Sequence, residues 1–169
     1  MFNLITVEIL NIGDELLLGI RTNSHLTYLG KQLSLLGLKI DHCQVVPDNA
    51  DAIKTAFAIA TKRADIVIAT GGLGPTADDL TRESLAEVLE LKLIYIDAVF
   101  DSIKERFLKL GREVSEIHKK QCYQIDGSQL LKNDRGTAPG LFVKEDACEI
   151  FLLPGPTHEL IPMFQEQIV

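Results

Sequence analysis

The chain of 169 residues has 46% hydrophobic and 24% charged residues, a composition typical of one globular domain. Its net charge of −7 disfavours nucleic acid as a partner, because that would need a basic face, but it allows a nucleotide ligand. The chain has no apolar run of about 18 residues, no basic leader at its start, and only the scattered Cys43, Cys122 and Cys148, so we expect a cytoplasmic protein without a membrane partner.

Apolar runs alternate with amphipathic stretches in the first half of the chain. The predicted elements are a strand over 5–12, a helix over 23–37, a strand over 39–46, a helix capped by Asp48 or Asn49, a strand over 65–70 and a helix from about Asp79. This alternation implies a parallel sheet with helices on both faces.

The second half is less regular. The predicted elements are a strand over 93–96, a helix over 100–110, a polar helix over 117–123, a turn over 136–140, a strand over 149–153 and a final helix. Pro162 fits poorly in a helix that begins at Thr157, so we expect that helix to begin later or to kink. Because its pattern ends without a cap, we expect residues 1–169 to be a single domain excised from a longer chain.

The segment TGGLGPTADDLT over 70–81 joins a buried strand to a helix. Such a glycine-rich bend lets backbone N–H groups approach a phosphate. The predicted ligand-binding residues are Gly71, Gly72, Gly74 and Pro75, with hydroxyl donors at Thr76 and Thr81. The alternative is a tight turn with a helix cap and no ligand.

Two carboxylates, Asp78 and Asp79, lie beside this predicted phosphate site. They would repel a phosphate unless a cation lies between, so we expect a divalent metal ion of the Mg, Mn or Co type. Adjacent residues face different ways on a helix, so one of the two is expected to cap it. Asp79 is favoured as the catalytic and metal-binding residue, and Asp78 is the second catalytic candidate.

Four loops follow predicted strand ends, and in a doubly wound sheet such loops border one crevice. They are 13–19, 46–49, 71–81 and 154–159. The first offers Gly13 for ligand binding and Asp14 and Glu15 for catalysis, unless these residues only begin the loop. Asp48 is a second metal-ligand candidate, although capping the next helix would also explain it.

The rigid turn Pro154, Gly155 and Pro156, with Glu159 nearby, is predicted to form a second wall of the ligand site. The segment 133–140 adds Asn133 and Gly136 as ligand-binding candidates. In it Arg135 would clamp an anion, or the segment would be an ordinary hairpin turn. The histidines show no metal-ligand spacing, and we expect His158 to be the one beside a candidate loop.

Four of these segments together (13–19, 71–81, 133–140 and 153–156) resemble the N-terminal domain of the CinA, or competence/damage-inducible, family. That family belongs to the MoaB/MogA-like molybdopterin-binding superfamily. The resemblance implies an α/β fold, a three-layer α/β/α sandwich whose mostly parallel sheet has one antiparallel edge strand. The chain departs from the family pattern at His118 and at Gln121-Cys122, which leaves the role of that segment open.

The resemblance also implies a function. In the CinA branch the domain is associated with divalent-cation-dependent ADP-ribose pyrophosphatase activity, and in other relatives the crevice binds molybdopterin. We therefore expect a metal-dependent nucleotide pyrophosphatase acting on ADP-ribose or a related dinucleotide. Asp79 would hold the cation, and one of Asp14, Glu15 and Asp48 would orient the attacking water.

Two alternatives stay open. One is a pterin phosphate binding domain without turnover, against which Leu73 counts because the relatives have threonine there. The other is a scaffold for a missing C-terminal amidase domain. The expected partner is a small molecule, a nucleotide or a pterin phosphate, and under the scaffold hypothesis it is a further domain. We also expect a homo-oligomer.

Overall fold

The computed structural model describes residues 5–169. The strands are β1 (Val7–Ile12), β2 (Ile40–Val46), β3 (Ile66–Thr70), β4 (Leu93–Tyr95), β5 (Tyr123–Ile125), β6 (Gln129–Leu131), β7 (Gly140–Glu145) and β8 (Cys148–Leu153). The α-helices are α1 (Asp14–Leu17), α2 (Ser24–Leu35), α3 (Ala50–Arg63), α4 (Thr81–Val88), α5 (Asp97–Lys109) and α6 (Thr157–Gln167), and a 3-10 helix spans Glu116–Cys122. None of the helices among these residues combines the length and apolar content that crossing a membrane requires.

The main sheet has six strands in the order β2-β1-β3-β8-β7-β6, and β4 and β5 form a separate antiparallel pair. Strands β2, β1, β3 and β8 are parallel. Strand β7 is antiparallel to both of its neighbours, β6 and β8. A two-residue hairpin at Asp146 and Ala147 joins β7 to β8 and reverses the chain direction between them. The antiparallel strand is therefore second from the edge, and the prediction of an antiparallel edge strand was wrong in this detail.

Helices cover both faces of the sheet, which confirms the three-layer α/β/α sandwich. Successive strand residues point to opposite faces. In β1, Val7 and Ile9 pack with apolar residues of α2 and α6, whereas Leu10 and Ile12 pack with those of α3 and α4. Each strand of the sheet's centre therefore contributes to two cores at once.

The parallel strands are in a register that aligns their carboxyl ends. Thr70 of β3 pairs with Asn11 of β1 on one side and with Leu153 of β8 on the other. The loops that follow these three strands therefore leave the sheet at the same level. This register, set by the buried strands, positions the site described below.

One predicted helix cap is confirmed and one is not. The side chain of Asn49 caps α3 by accepting from the amides of Asp51 and Ala52, each at 3.1 Å, so of the two predicted candidates Asn49 is the cap and Asp48 is not. Helix α4 begins at Thr81 after an apolar N-cap residue without a side-chain cap, so the prediction that Asp78 or Asp79 caps this helix was wrong.

The final helix α6 begins at Thr157 and contains Pro162. The prediction that it would start later was wrong. The carbonyl of Pro156 accepts from the amides of Glu159 at 2.9 Å and Leu160 at 3.0 Å, so the first turn is complete before the proline. The nitrogen of Pro162 has no hydrogen to donate, so the helix lacks the bond that this position would otherwise make.

Candidate functional site

A cavity of about 510 Å³ opens at the carboxyl ends of β1, β3 and β8. All four loops that follow predicted strand ends contribute to it. Their lining residues include Gly13, Glu15, Asp48, Gly71, Gly72, Gly74, Pro75, Asp78, Asp79, Pro154, Gly155, Pro156 and Glu159. The volume lies within the range of about 300–1,000 Å³ typical of small-molecule sites.

The glycine-rich bend forms one wall of this cavity. Gly71 has φ of 96°, and a Cβ there would collide with the carbonyl oxygen of Ile12, so only glycine fits. The amide of Gly71 donates to the carbonyl of Leu153 at 3.0 Å, which fixes the bend to the end of β8. The backbone of the bend can therefore reach a ligand without an intervening side chain.

Thr81 supports this bend from behind. Its hydroxyl donates to the carbonyl of Gly71 at 2.8 Å, and its amide donates to the carbonyl of Gly72 at 3.2 Å. Its side chain is fully buried and does not line the cavity. The structure thus gives Thr81 a positioning role, and the expectation that its hydroxyl faces a ligand was wrong.

Asp79 closes its own loop. The amide and the hydroxyl of Thr76 both donate to one carboxylate oxygen of Asp79, at 2.9 and 2.5 Å, and Thr76 itself does not line the cavity. The side chain of Thr76 and, more weakly, the charge of Lys120 lower the pKa of the neighbouring Asp78. Both aspartates face the cavity in a short loop held by local hydrogen bonds, and this loop replaces the helix cap that the spacing had suggested.

A group of carboxylates, the acidic wall, borders the same cavity. The amide of Asp14 donates to Asp48 at 3.0 Å, and the amide of Asp48 donates back to Asp14 at 3.2 Å. Burial raises the pKa of Asp48, and the charges of Asp14, Glu15 and Asp78 raise it further. Asp14 does not itself line the cavity, whereas Glu15, Asp48 and Asp78 do.

No group of three or more His, Cys, Asp or Glu side chains among residues 5–169 is arranged to hold a metal ion. The acidic wall is therefore a concentration of negative charge and lacks a complete set of protein ligands. Mg²⁺ is commonly bound by one or two carboxylates together with phosphate oxygens of the substrate. The donor set fits a cation that binds jointly with a phosphate ligand.

His25 occupies the floor of the cavity, although sequence spacing did not single it out. Its Nδ1 lies 3.3 Å from the hydroxyl of Thr70, and its Nε2 lies 3.3 Å from the hydroxyl of Thr157. Burial lowers the pKa of His25, so the neutral imidazole is favoured. His158, expected beside the site, is exposed on α6 and does not line the cavity.

The start of α2 was the signal that could have revealed His25. Asn23 caps this helix by accepting from the amide of Leu26 at 3.0 Å, which places His25 in the first turn. That turn follows the loop after β1 and therefore lies at the ligand edge of the sheet. Arg21, just before it, lines the cavity and supplies a cation there.

The segment 133–140 is organised by Asn133. Its side-chain oxygen accepts from the amides of Arg135 at 3.0 Å and Gly136 at 2.7 Å. Its amide group donates at 2.7 Å both to the carbonyl of Ala138 and to the carboxylate of Glu159. Asn133 therefore positions Glu159, which lines the cavity.

The structure places the three candidate residues of this segment outside the main cavity. Asn133 and Gly136 line an adjacent cavity of about 530 Å³, and Arg135 lines neither of the two. Thr137 and Ala138 line the main cavity in their place.

Comparison with known proteins identifies the family. Residues 8–169 match the family described as "Probable molybdopterin binding domain". A protein of Clostridium acetobutylicum described as competence-damage inducible is 47% identical over 163 residues, and a CinA-like protein of Dictyoglomus turgidum is 46% identical over 162 residues. The alignments cover 96% of this chain but only 40% and 39% of those relatives, so the chain spans about two fifths of their length.

Solved structures show the same fold. The crystal structure of the protein CinA from Thermoplasma acidophilum, described as having unknown function, matches with a TM-score of 0.87 at 28% identity over 95% of this chain and 94% of that one. The molybdopterin biosynthesis enzyme MoaB from Thermus thermophilus matches with a TM-score of 0.59 at 19% identity over 95% and 87% of the two chains, which supports the fold alone. The chain therefore belongs to the molybdopterin-binding domain family and is similar to its CinA-like members.

Proposed function

We propose that this domain is a metal-dependent nucleotide pyrophosphatase that hydrolyses ADP-ribose or a related dinucleotide. One observation carries the proposal: a glycine bend without side chains and a wall of carboxylates face the same cavity. The bend suits a phosphate, and the carboxylates suit a cation bound to that phosphate. A pyrophosphate with its divalent metal ion combines both.

The electrostatics of the cavity favour an anion on one side. Ser24 and Thr157, the first residues of α2 and α6, both line it, and the N-terminal end of a helix carries partial positive charge. Arg21 adds a full positive charge at the same edge. These groups and the bend at Gly71 and Gly72 would neutralise charge on the leaving phosphate.

A divalent cation would be held by Asp48 with Asp78 or Asp79 and by oxygens of the pyrophosphate. Bound there, it would polarise a phosphorus–oxygen bond and lower the pKa of a water molecule. Since Asp14 does not line the cavity and Glu15 does, Glu15 is the carboxylate that would orient the attacking water. Thr76 keeps Asp79 turned toward the loop in the absence of ligand.

Hydrolysis of ADP-ribose, measured with Mg²⁺, Mn²⁺ or Co²⁺ and after chelation with EDTA, tests this proposal. We expect turnover only with added metal, and a loss of about 100-fold or more in Asp79→Asn, within the range of catalytic electrostatic groups. The asparagine keeps an oxygen for Thr76, so folding is preserved. Asp126→Asn, at an exposed position outside the cavity, is the matched control. Activity that survives EDTA would overturn the mechanism.

A second candidate is binding of a pterin phosphate without turnover. The incomplete set of metal ligands among residues 5–169 favours it, since a binding module needs no activated water. Calorimetry with ADP-ribose and with a pterin phosphate separates the two candidates. Tighter binding of the pterin phosphate, with no hydrolysis of ADP-ribose, would favour the binding module.

The scaffold hypothesis and the expected homo-oligomer stay predictions. Relatives are about two and a half times as long as this chain, so a further domain could carry activity of its own. Analytical ultracentrifugation of the domain measures its oligomeric state. If Asp79→Asn leaves the ligand affinity and the activity of the full-length protein unchanged, a scaffold role is favoured.

A further inference from the structure

Gln121 is a buried polar side chain at the wall of the main cavity. It is 1% exposed and lines the cavity, and its side-chain oxygen has no hydrogen-bond partner among residues 5–169. An unpaired buried acceptor destabilises a folded protein unless something else donates to it. Two donors can serve it: a ligand in the cavity that Gln121 lines, and the buried guanidinium of Arg82, whose Nε and Nη2 also have no partner among residues 5–169.

The backbone around Gln121 is fixed on both sides. The carbonyl of Lys120 accepts from the buried guanidinium of Arg82 at 2.7 Å, and the ammonium of Lys120 donates to the carbonyl of Thr76 at 2.5 Å. On the other side, the carbonyl of Cys122 accepts from the amide of Ile96 at 2.8 Å. These bonds fix the backbone on both sides of Gln121, so its side chain starts from a fixed position at the cavity wall.

A carboxamide presents an acceptor oxygen beside a donor nitrogen, and this pair complements a heterocycle edge with an amino group next to a ring nitrogen. Resting on the proposed function, which places a phosphate-bearing ligand here, we propose that Gln121 determines specificity for an amino-substituted nitrogen heterocycle. Its oxygen accepts from the exocyclic amino group. Adenine and pterin both carry such an edge, so the chemistry is shared by the two ligand classes.

The test compares ligands that differ at that amino group. Calorimetry measures the affinity of AMP against IMP and of 6-carboxypterin against 6-carboxylumazine, for the wild type and for Gln121→Met. In at least one pair, we expect the wild type to bind the amino-bearing ligand about tenfold or more tightly than its oxo analogue. The reason is that only the amino group donates a hydrogen bond to the unpaired oxygen of Gln121. In Gln121→Met the ratio should fall close to one, while the affinity for inorganic pyrophosphate stays unchanged. Gln165→Met, at an exposed position on α6, is the matched control.

A second measurement does not need a ligand. If Gln121 awaits a ligand, replacing it with methionine removes an unpaired acceptor, so the melting temperature of the free protein should be unchanged or higher. A clearly lower melting temperature would show that the amide already serves the fold, for example through water to Arg82, and would overturn the proposal. Gln121→Glu keeps an acceptor oxygen at this position and should keep the preference for the amino-bearing ligand.

The outcomes separate this inference from the proposed function. Discrimination at the amino group without hydrolysis of ADP-ribose would support the role of Gln121 and contradict the pyrophosphatase. Hydrolysis of ADP-ribose without discrimination in either ligand pair would support the pyrophosphatase and contradict the role of Gln121. A ratio that persists in Gln121→Met would overturn the inference.

Discussion

Asp14 and Asp48 bind each other's backbone amides across the junction between the loops that follow β1 and β2. The amide of Asp14 donates to the Asp48 carboxylate at 3.0 Å, and the amide of Asp48 donates to the Asp14 carboxylate at 3.2 Å. Two like charges are thus brought together by neutral donors. The contact fixes the acidic wall but leaves it electrostatically unfavourable without a cation.

Replacing Asp48 by asparagine should stabilise the metal-free protein at neutral pH. Burial and the charges of Asp14, Glu15 and Asp78 raise the pKa of Asp48. Because its folded-state pKa is raised, Asp48 contributes stability that is present at low pH and is lost as the pH rises through that pKa. We expect Asp48→Asn to raise the melting temperature by about 1–3 °C at pH 7, measured by calorimetry with EDTA.

The same substitution should weaken metal-dependent ligand binding. At a pH below the ordinary pKa of aspartate, the higher melting temperature of Asp48→Asn should disappear. With a divalent metal ion and the ligand present, the wild type should be the more stable of the two proteins. Asp126→Asn should show none of these changes. An Asp48→Asn variant that is less stable than the wild type at pH 7 would mean that the carboxylate contributes more through its contact with Asp14 than it loses by repulsion.

The glycine bend should tolerate no side chain at Gly71. An alanine there must adopt φ of 96° and place its Cβ against the carbonyl of Ile12. We expect Gly71→Ala to lower the free energy of unfolding by about 2 kcal/mol or more, since the strained conformation alone costs about 1–2 kcal/mol. Urea denaturation measures this loss, and calorimetry should show a weaker affinity for pyrophosphate.

Gly19 offers a matched control for that prediction. It has φ of 69°, but a Cβ there would have nothing within 4 Å. Gly19→Ala therefore carries the conformational penalty without the collision. Equal losses of stability in the two variants would show that the space between Gly71 and Ile12 does not constrain the bend.

The alternation of strands and helices made the fold predictable from sequence. Buried runs such as Val67–Ala69 have few alternatives to a central strand. The convergence of four loops also followed, because parallel strands share their carboxyl edge. The reversed direction of β7 was not foreseen. It depends on a hairpin at Asp146, which has φ of 49° without a glycine signal.

The site was less predictable because its details depend on competition between hydrogen bonds. An aspartate before a helix can serve the helix or its own loop, and the amide and hydroxyl of Thr76, three residues earlier in the chain, bind Asp79 to the loop. His25, Arg21 and Gln121 come from segments distant in sequence from the glycine bend. Their approach depends on how α2 and the 3-10 helix pack, which residue spacing does not encode.

His25 should make stability depend on pH between about 5 and 7. Burial lowers its pKa, although the backbone of Gly155 and the charge of Glu15 oppose this effect. A histidine whose folded-state pKa is lowered contributes stability that is present above its ordinary pKa of about 6.5 and is lost as the pH falls. From pH 7 to pH 5, the melting temperature of the wild type should fall by about 2–4 °C more than that of His25→Gln.

Scanning calorimetry in steps of half a pH unit measures that difference. His158→Gln is the matched control, because its side chain is 72% exposed. It should follow the wild-type curve. Parallel curves for His25→Gln and the wild type would contradict the assignment of a buried neutral imidazole to the floor of the cavity.

The ion pair between Glu8 and Arg63 should be the most costly polar contact to break. Glu8 is fully buried in β1, and its carboxylate accepts from Arg63 at 2.8 and 2.7 Å and from Gln44 at 2.7 Å. Burial opposes ionisation of Glu8 most strongly, but the hydrogen bonds from Arg63 and Gln44 outweigh it and lower the pKa of this carboxyl. Arg63→Met leaves a buried charge unpaired.

We expect Arg63→Met to lower the free energy of unfolding by about 2–4 kcal/mol, somewhat below a fully buried pair because Arg63 is 39% exposed. Urea denaturation at pH 7 measures the loss. Lys54 lies on the same helix as Arg63, and Lys54→Met, which breaks its surface pairs with Asp51 and with Glu87 of α4, should cost about 1 kcal/mol or less. The stability that Glu8 contributes is present above its ordinary pKa and is lost as the pH falls through its lowered pKa. The difference in unfolding free energy between Arg63→Met and the wild type should therefore disappear in acid.

In the double variant Glu8→Met/Arg63→Met most of the lost unfolding free energy should be recovered, because no charge is left buried. A loss as large as in Arg63→Met would show that packing of the arginine stem, and not its charge, stabilises this face of the sheet.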